Sequence, residues 1–149
     1  MLDLDLIELN MEAETAGDVI KRLAGKMVSK GYVKESFPDA VLEREKNFPT
    51  GLPAEGVGVA IPHTDAAHVI RSCISIATLK KPVIFKMMGM PERPLEVCLV
   101  MLLAIADPDG QLQVLKQLME IFQNKNTLLK LASAATPKQV AEIFASLNL

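Results

Sequence analysis

The sequence predicts an α/β (α+β) fold, a single-domain sandwich in which helices flank a mixed β-sheet. Apolar residues recur at helical spacing towards both ends of the chain, and short β-type runs occupy its middle. No Pro/Gly/Ser-rich linker divides the 149 residues. Because domains commonly run ~100–200 residues, we expect residues 1–149 to form one domain, with no disulfide or metal needed to hold its core.

Two helices are predicted in the first third of the chain. Residues 15–18 (TAGD) resemble a capping box, in which a hydroxyl and a carboxylate satisfy free backbone N–H groups. Apolar residues then keep helical spacing up to Gly31, which can end a helix in the left-handed conformation. A second helix is predicted over residues 39–46, and the turn residues 49–53 (PTGLP) stop it.

The middle of the chain predicts strands. Residues 57–61 (VGVAI) form a short β-type run that Pro62 halts. Residues 72–79 alternate as a strand does, and residues 83–85 form another short strand. Residues 97–106 are apolar throughout, which predicts a central strand covered on both faces.

The last third returns to helical spacing after a loop expected at residues 107–110. One apolar stripe contains Leu112, Leu115, Leu118, Met119 and Phe122. A further helix starts at residues 136–139 (TPKQ), which combine a hydroxyl cap, Pro at the first position and Gln three residues beyond the cap. Its apolar stripe runs to Leu147.

Charge and composition exclude several classes of partner. Sixteen basic and eighteen acidic residues leave a net charge of −2, whereas nucleic-acid binders show a basic stripe. Aromatic residues make up only 4% of the chain and Trp is absent, so base-stacking platforms are not expected. The sequence therefore predicts no nucleic-acid partner.

We expect a cytoplasmic protein with no direct membrane insertion. The first residues carry acids where a signal peptide carries basic residues. The longest apolar run, residues 97–106, is too short to span a bilayer. Cys73 and Cys98 show no CxxC or zinc-ligand spacing and are predicted to be buried, reduced thiols.

The two histidines are the first candidates for chemistry. Both lie between residues 60 and 68, and His63 directly follows a predicted strand that ends at Pro62. A histidine held at such an edge is well placed to act as a nucleophile or base. For His68 we favour a structural role.

Metal, nucleotide and hydrolase chemistry are not supported by the motifs. His63 and His68 lack HExxH-type spacing, and no third His or Cys cluster lies nearby, so no metal is expected. There is no P-loop and no G-x-S-x-G elbow, so no nucleotide or other cofactor is predicted. What remains is His63 as a phosphate acceptor, since neutral imidazole is nucleophilic near neutral pH.

A phosphohistidine needs donors for its oxygens, and Arg44 is the best candidate. Its planar guanidinium can grip two phosphate oxygens, and Lys46 is the second choice. The spacing alone favours the alternative that Arg44 is a solvated arginine paired with Glu43 or Glu45. These two interpretations stay open at the level of the residues.

Two motifs favour the interpretation of Arg44 as a phosphate-binding residue. Residues 44–51 (RE-x-x-x-PTG) and 58–64 (GVAIPHT) resemble the signature of the fructose/mannitol-type (type 2) enzyme IIA family of the bacterial sugar phosphotransferase system (PTS). The resemblance extends from about Thr15 to Leu147, and it includes the nitrogen-regulatory members. It implies a mixed sheet between helices, in agreement with the pattern of elements.

The resemblance also assigns roles to residues. His63 matches the phosphorylated histidine and Arg44 the phosphate-stabilising arginine of the family. Many members have a second histidine at the start of the helix after the central strand, where this chain has Gln111. Gln111 with residues 48–51 (FPTG) most resembles the galactitol-type members, and its amide could donate a hydrogen bond to phosphate.

The implied mechanism is two in-line phosphoryl transfers. A phosphorylated histidine carrier protein gives its phosphoryl group to His63, which passes it to a sugar-specific enzyme IIB, with no metal or nucleotide. Residues 87–90 (MMGM) are either an adaptable docking patch or a partly buried turn. The alternative function is a nitrogen-regulatory-type module that controls partner proteins through its phosphorylation state.

Overall fold

The structure is a computed structural model that describes residues 1–54 and 56–146. Five strands, five α-helices and one short 3-10 helix follow one another within these residues. In chain order they are β1 Leu2–Met11, α1 Ala16–Ser29, α2 Phe37–Asn47, β2 Gly51–Ala54, β3 Val57–Ala60, the 3-10 helix Ala66–His68, β4 Cys73–Met87, β5 Met90–Ala104, α3 Pro108–Phe122, α4 Lys125–Ala132 and α5 Pro137–Ser146.

The strands form one mixed sheet in which β5 is central. β4 and β5 are a long antiparallel hairpin, and β1 runs parallel along the other side of β4. β3 runs parallel to β5, and β2 is antiparallel to β3. β2 also reaches the far end of β4, where Gly51 pairs with Met87. The predicted α/β fold with a mixed sheet is confirmed.

Two hydrophobic cores lie on opposite faces of the sheet. Helices α1 and α2 cover one face, and α3, α4 and α5 cover the other. Along β5, Val100 and Leu102 face the first core while Leu99, Met101 and Leu103 face the second. Because both faces are covered here, residues 97–104 have no polar alternation, as the sequence predicted for residues 97–106. The strand also extends back to Met90 through mostly exposed residues that were not predicted as strand.

Several local predictions are confirmed in detail. The Thr15 hydroxyl accepts a hydrogen bond from the Asp18 N–H at 3.1 Å, and α1 is followed by Gly31 with φ of 79°. The Thr136 hydroxyl accepts from the Gln139 N–H, whose side chain in turn accepts from the Thr136 N–H. These caps depend only on residues within one turn, which is why the sequence reveals them.

Other boundaries differ from the predictions for tertiary reasons. β1 and α4 were not predicted, although residues 2–6 (LDLDL) alternate as a half-buried strand does. Residues 51–53, part of the turn predicted over residues 49–53, instead belong to β2, because β3 and the hairpin end supply partners. Residues 83–85 are not a separate strand but part of β4.

The boundaries of the C-terminal helices also differ from the predictions. The predicted loop at residues 107–110 is instead a helix start: α3 begins at Pro108 because the Asp107 side chain accepts hydrogen bonds from the Asp109 and Gly110 N–H groups. Leu147, predicted to complete α5, lies outside the described residues. In the described part of the chain, no helix has both the length and the apolarity to cross a bilayer.

Candidate active site

His63 lies just after β3, and its ring orientation is set by the local backbone. The half-buried side chain places Nδ1 2.8 Å from the carbonyl oxygen of Ile61. A carbonyl can only accept, so Nδ1 carries the proton and donates. In the neutral ring, Nε2 is then the nitrogen with the free lone pair.

The surroundings of His63 favour its neutral form. Burial lowers the pKa of His63 below its usual value, and the positive charge of Arg44 lowers it further. The Ile61 carbonyl and Asp65 act in the opposite direction without cancelling the effect. At neutral pH the imidazole is therefore neutral, with a free lone pair on Nε2.

Arg44 lies in the last turn of α2 with its guanidinium 5.4 Å from the ring centre of Phe48. Its Nε atom is buried, and within residues 1–54 and 56–146 it finds no hydrogen-bond partner. The ion pairs of that part of the chain do not include Arg44, so the pairing with Glu43 or Glu45 is wrong. An unsatisfied buried donor costs about 1–3 kcal/mol or more when charged, and an anion would satisfy it.

A cavity of about 370 Å³ contains both Arg44 and His63. Its walls are largely apolar and come from the end of α2, the loop that leads into β2, the segment after β3, the tip of the β4–β5 hairpin and α3. The other lining residues are Phe48, Pro49, Thr50, Ile61, Met88, Leu115 and Met119. Residues separated by up to 75 positions in the sequence thus meet around one guanidinium and one imidazole.

Glu45 and Thr50 form a clamp behind His63 that the sequence analysis did not assign. The Glu45 carboxylate accepts from the Thr50 N–H at 2.9 Å and from the Thr50 hydroxyl at 2.7 Å. The same hydroxyl accepts from the Ile61 N–H at 3.2 Å. Burial raises the pKa of Glu45 to about 7, while the two bonds from Thr50 act against that shift. Both residues belong to the RE-x-x-x-PTG motif, which was the available signal.

Gln111 lies in the first turns of α3 and does not line the cavity that holds Arg44 and His63. Its side-chain amide donates to the carbonyl oxygen of Thr64 at 3.0 Å. The residue is therefore tied to the backbone directly after His63. Its predicted hydrogen bond to phosphate stays a prediction.

The remaining candidates are placed as follows. His68 is part of the 3-10 helix, where its Nδ1 lies 2.8 Å from the Ser36 hydroxyl, in keeping with a structural role. Cys73 is buried, but Cys98 is only partly buried, against the prediction. Both thiols are free. Lys46 is exposed and lines a different groove.

The methionines at the hairpin tip are exposed. Met88 and Met90 are 41% and 45% exposed around Gly89, whose φ is 79°, and only Met87 is half-buried. Met88 also lines the cavity. The tip is thus a turn next to the site, and its apolar side chains face solvent. Across residues 1–54 and 56–146, no cluster of His, Cys, Asp or Glu could hold a metal ion.

Comparison with known proteins identifies the family. The family described as "Phosphoenolpyruvate-dependent sugar phosphotransferase system, EIIA 2" matches residues 1–147. The chain belongs to this family. PTS EIIA components are phosphotransferases with a phosphohistidine intermediate.

Individual relatives refine this picture. The chain is similar to the galactitol-specific EIIA component of Escherichia coli (strain K12), with 33% identity over 99 residues, 66% of this chain. The match spans 65% of that relative's length. The fold resembles enzyme IIA in its complex with phosphorylated IIB of the mannitol system from Escherichia coli, with 22% identity, a TM-score of 0.79, and 98% of this chain and 99% of that chain covered. It also resembles the nitrogen regulatory protein IIA-Ntr from Neisseria meningitidis, with 24% identity, a TM-score of 0.75, and 95% and 94% covered.

Proposed function

We propose that residues 1–149 act as one EIIA type-2 domain that carries a phosphoryl group on His63. The donor is a phosphorylated histidine carrier protein, and the acceptor is a sugar- or polyol-specific enzyme IIB. The observation that carries the proposal is the unpartnered, buried Nε of Arg44 in the same cavity as His63. A dianionic phosphoryl group is the ligand that this pair would satisfy.

The chemistry follows from the two ring nitrogens. The lone pair of Nε2 attacks phosphorus as the bond from phosphorus to the donor nitrogen breaks, and the electron pair of that bond stays with the donor. The proton remains on Nδ1, which donates it in a hydrogen bond to the Ile61 carbonyl, so the imidazole is held in one orientation throughout. Arg44 stabilises the charge on the phosphoryl oxygens, which is the main task of a protein in a loose transition state. The second transfer reverses these steps towards IIB.

The rim of the cavity supports docking of protein partners. Phe48 is 65% exposed, and Met88 and Met119 are also exposed beside the cavity. Exposed apolar side chains next to a reactive group indicate a surface from which a bound partner excludes water. The hairpin tip at residues 87–90 belongs to this docking surface, and its flexible methionines suit two different partners in turn.

The similarity to a galactitol-specific relative and the residue at position 111 support a galactitol-like IIB as the partner. We place the protein in the cytoplasm, where both partners would meet it. The alternative is a nitrogen-regulatory-type role, in which the phosphorylation state of His63 controls a partner protein. The fold is compatible with it, since IIA-Ntr shares the architecture.

Reconstituted phosphorylation tests the proposal. The protein is incubated with phosphoenolpyruvate, enzyme I and the histidine carrier, and the acid-labile phosphate is mapped. We expect the label on His63 in the native protein and in the His68→Ala control, and none in His63→Ala. Label that persists in His63→Ala refutes the assignment. Onward transfer is then measured to purified galactitol-type and mannitol-type IIB; transfer to neither favours the regulatory role.

A further inference from the structure

A continuous chain of hydrogen bonds connects the end of α2 with the ring of His63. The Glu45 carboxylate accepts two bonds from Thr50, and the Thr50 hydroxyl accepts from the Ile61 N–H. The carbonyl of Ile61 then accepts from Nδ1 of His63 at 2.8 Å. Each link is 3.2 Å or shorter, so every group in the chain fixes the next one.

We propose that Glu45 is a positioning residue for His63: it holds Thr50, which holds the backbone of Ile61, whose carbonyl keeps the proton on Nδ1 and leaves Nε2 free to react. This inference rests on the proposed function and deepens it. Arg44 and Glu45 are neighbours at the end of α2, so one helix end supplies both the cation that meets the phosphoryl group and the clamp that orients the nucleophile.

Because this chain of hydrogen bonds is buried, its groups have no alternative partners. Thr50 is 3% exposed and Ile61 is 1% exposed, so water cannot replace a lost partner. The carboxyl group of Glu45 is itself held in an unfavourable place, since burial raises its pKa to about 7 and no ion pair with it occurs in residues 1–54 and 56–146. A role in aligning His63 gives a carboxyl group in this position a function.

The reactive nitrogen depends on the last link. Which ring nitrogen carries the proton is decided by the hydrogen bond that the other nitrogen makes. If the Ile61 carbonyl moves away, the neutral ring can carry its proton on Nε2 instead of Nδ1. Nε2 then has no free lone pair with which to attack phosphorus. Loss of the clamp should therefore lower the rate of transfer and leave docking of the carrier protein intact.

The test compares Thr50→Val, which removes the hydroxyl at nearly equal size, with Thr50→Ser, which keeps it. Glu45→Gln weakens the clamp from the other side, because its amide N–H₂ cannot accept and only one oxygen is left for the two Thr50 donors. Glu43→Gln is the matched control, an exposed acid on the same helix whose side chain contacts Asn47. Two quantities are measured: kcat and KM for the phosphorylated carrier, and the tautomer of His63 by ¹⁵N NMR.

We expect Thr50→Val and Glu45→Gln each to lower kcat by about tenfold, the effect of about one buried hydrogen bond, with KM within about twofold of the native value. The ¹⁵N spectrum should show an Nδ1–H ring in the native protein and a mixture of tautomers in both variants. Thr50→Ser should restore most of the rate and of the single tautomer. Glu43→Gln should match the native protein.

Unchanged kcat and tautomer in a folded Thr50→Val protein overturn the inference. So does a lower kcat with an unchanged tautomer, because that result assigns the clamp a purely structural role. If Thr50→Val does not fold, Glu45→Gln is read in the same way. Failure of the native protein to accept phosphate on His63 would refute the proposed function instead, and the tautomer comparison still decides the role of the clamp.

Discussion

The buried carboxyl group of Glu45 predicts an unusual dependence of stability on pH. Its pKa is about 7 in the folded protein against an ordinary 4.5, so between these values the folded state binds a proton that the unfolded chain has lost. The free energy of unfolding therefore falls as pH rises through this window and is level above it. A shift of this size corresponds to at most about 3 kcal/mol, and to about 2 kcal/mol between pH 5 and pH 8.

The perturbation that isolates this effect is Glu45→Gln, because glutamine cannot titrate. His63 works in the opposite direction, since its lowered pKa makes stability rise with pH, and Glu45→Gln would disturb its bond to Ile61. Both proteins of the comparison therefore carry His63→Ala, which removes this contribution. Lys46 and Lys86, which line the groove that Glu45 also lines, are unchanged. The difference in free energy between the Glu45→Gln variant and its His63→Ala parent should move by about 2 kcal/mol in favour of the variant from pH 5 to pH 8.

Urea unfolding at both pH values measures this difference, with Glu43→Gln as the exposed control on the same helix. The control should keep a constant difference from the same parent. A difference for Glu45→Gln that changes by less than about 0.5 kcal/mol would show that the carboxyl group titrates normally, and the account of its burial would be wrong.

Three further predictions concern phosphoryl transfer. Arg44→Ala should slow transfer by roughly 10–150-fold, the value of a charge-assisted hydrogen bond, and Arg44→Lys should recover only part of it; a native rate in folded Arg44→Ala contradicts the role. Gln111→Ala should slow transfer by about threefold to tenfold, since one neutral hydrogen bond is lost. Gln113→Ala, on the exposed face of α3, serves as its control. Equal transfer rates in the two variants would leave Gln111 without a role. Met119→Ala should raise KM for the carrier by about fivefold through lost apolar contact, with kcat unchanged. The control Leu129→Ala, at an exposed position on α4, should change neither KM nor kcat. An effect of the same size at both positions argues against the docking surface.

The features that the sequence predicted correctly are those with short range. The caps at Thr15 and Thr136 and the left-handed Gly31 need only a few neighbouring residues, and the apolar run that forms β5 shows its double-sided burial in composition alone. Strand β2 could not be predicted in the same way. Its residues 51–53 have the composition of a turn, and they become a strand because β3 and the distant end of β4, where Gly51 pairs with Met87, supply partners.

The candidate site also has a part that local motifs predicted and a part that they could not. The motifs around Arg44 and His63 marked both residues before any geometry was known, because each motif is local and the family resemblance is specific. Whether Arg44 is paired with a neighbouring acid or free for a ligand could not be decided from spacing, since a helix end presents either arrangement. In the structure its Nε is buried beside His63 without a partner among the described residues.

The sequence by itself determined the fold class, the helix caps at Thr15 and Thr136, the buried part of the central strand and the pair of residues proposed for phosphoryl transfer. Only the tertiary structure decided which nitrogen of His63 is free, which groups Glu45 contacts and that Gln111 binds the Thr64 carbonyl. The physical reason is that hydrogen-bond partners and burial are properties of positions in space. Glu45 and Ile61 are 16 residues apart in the chain, yet Thr50 joins them, and no local pattern records that contact.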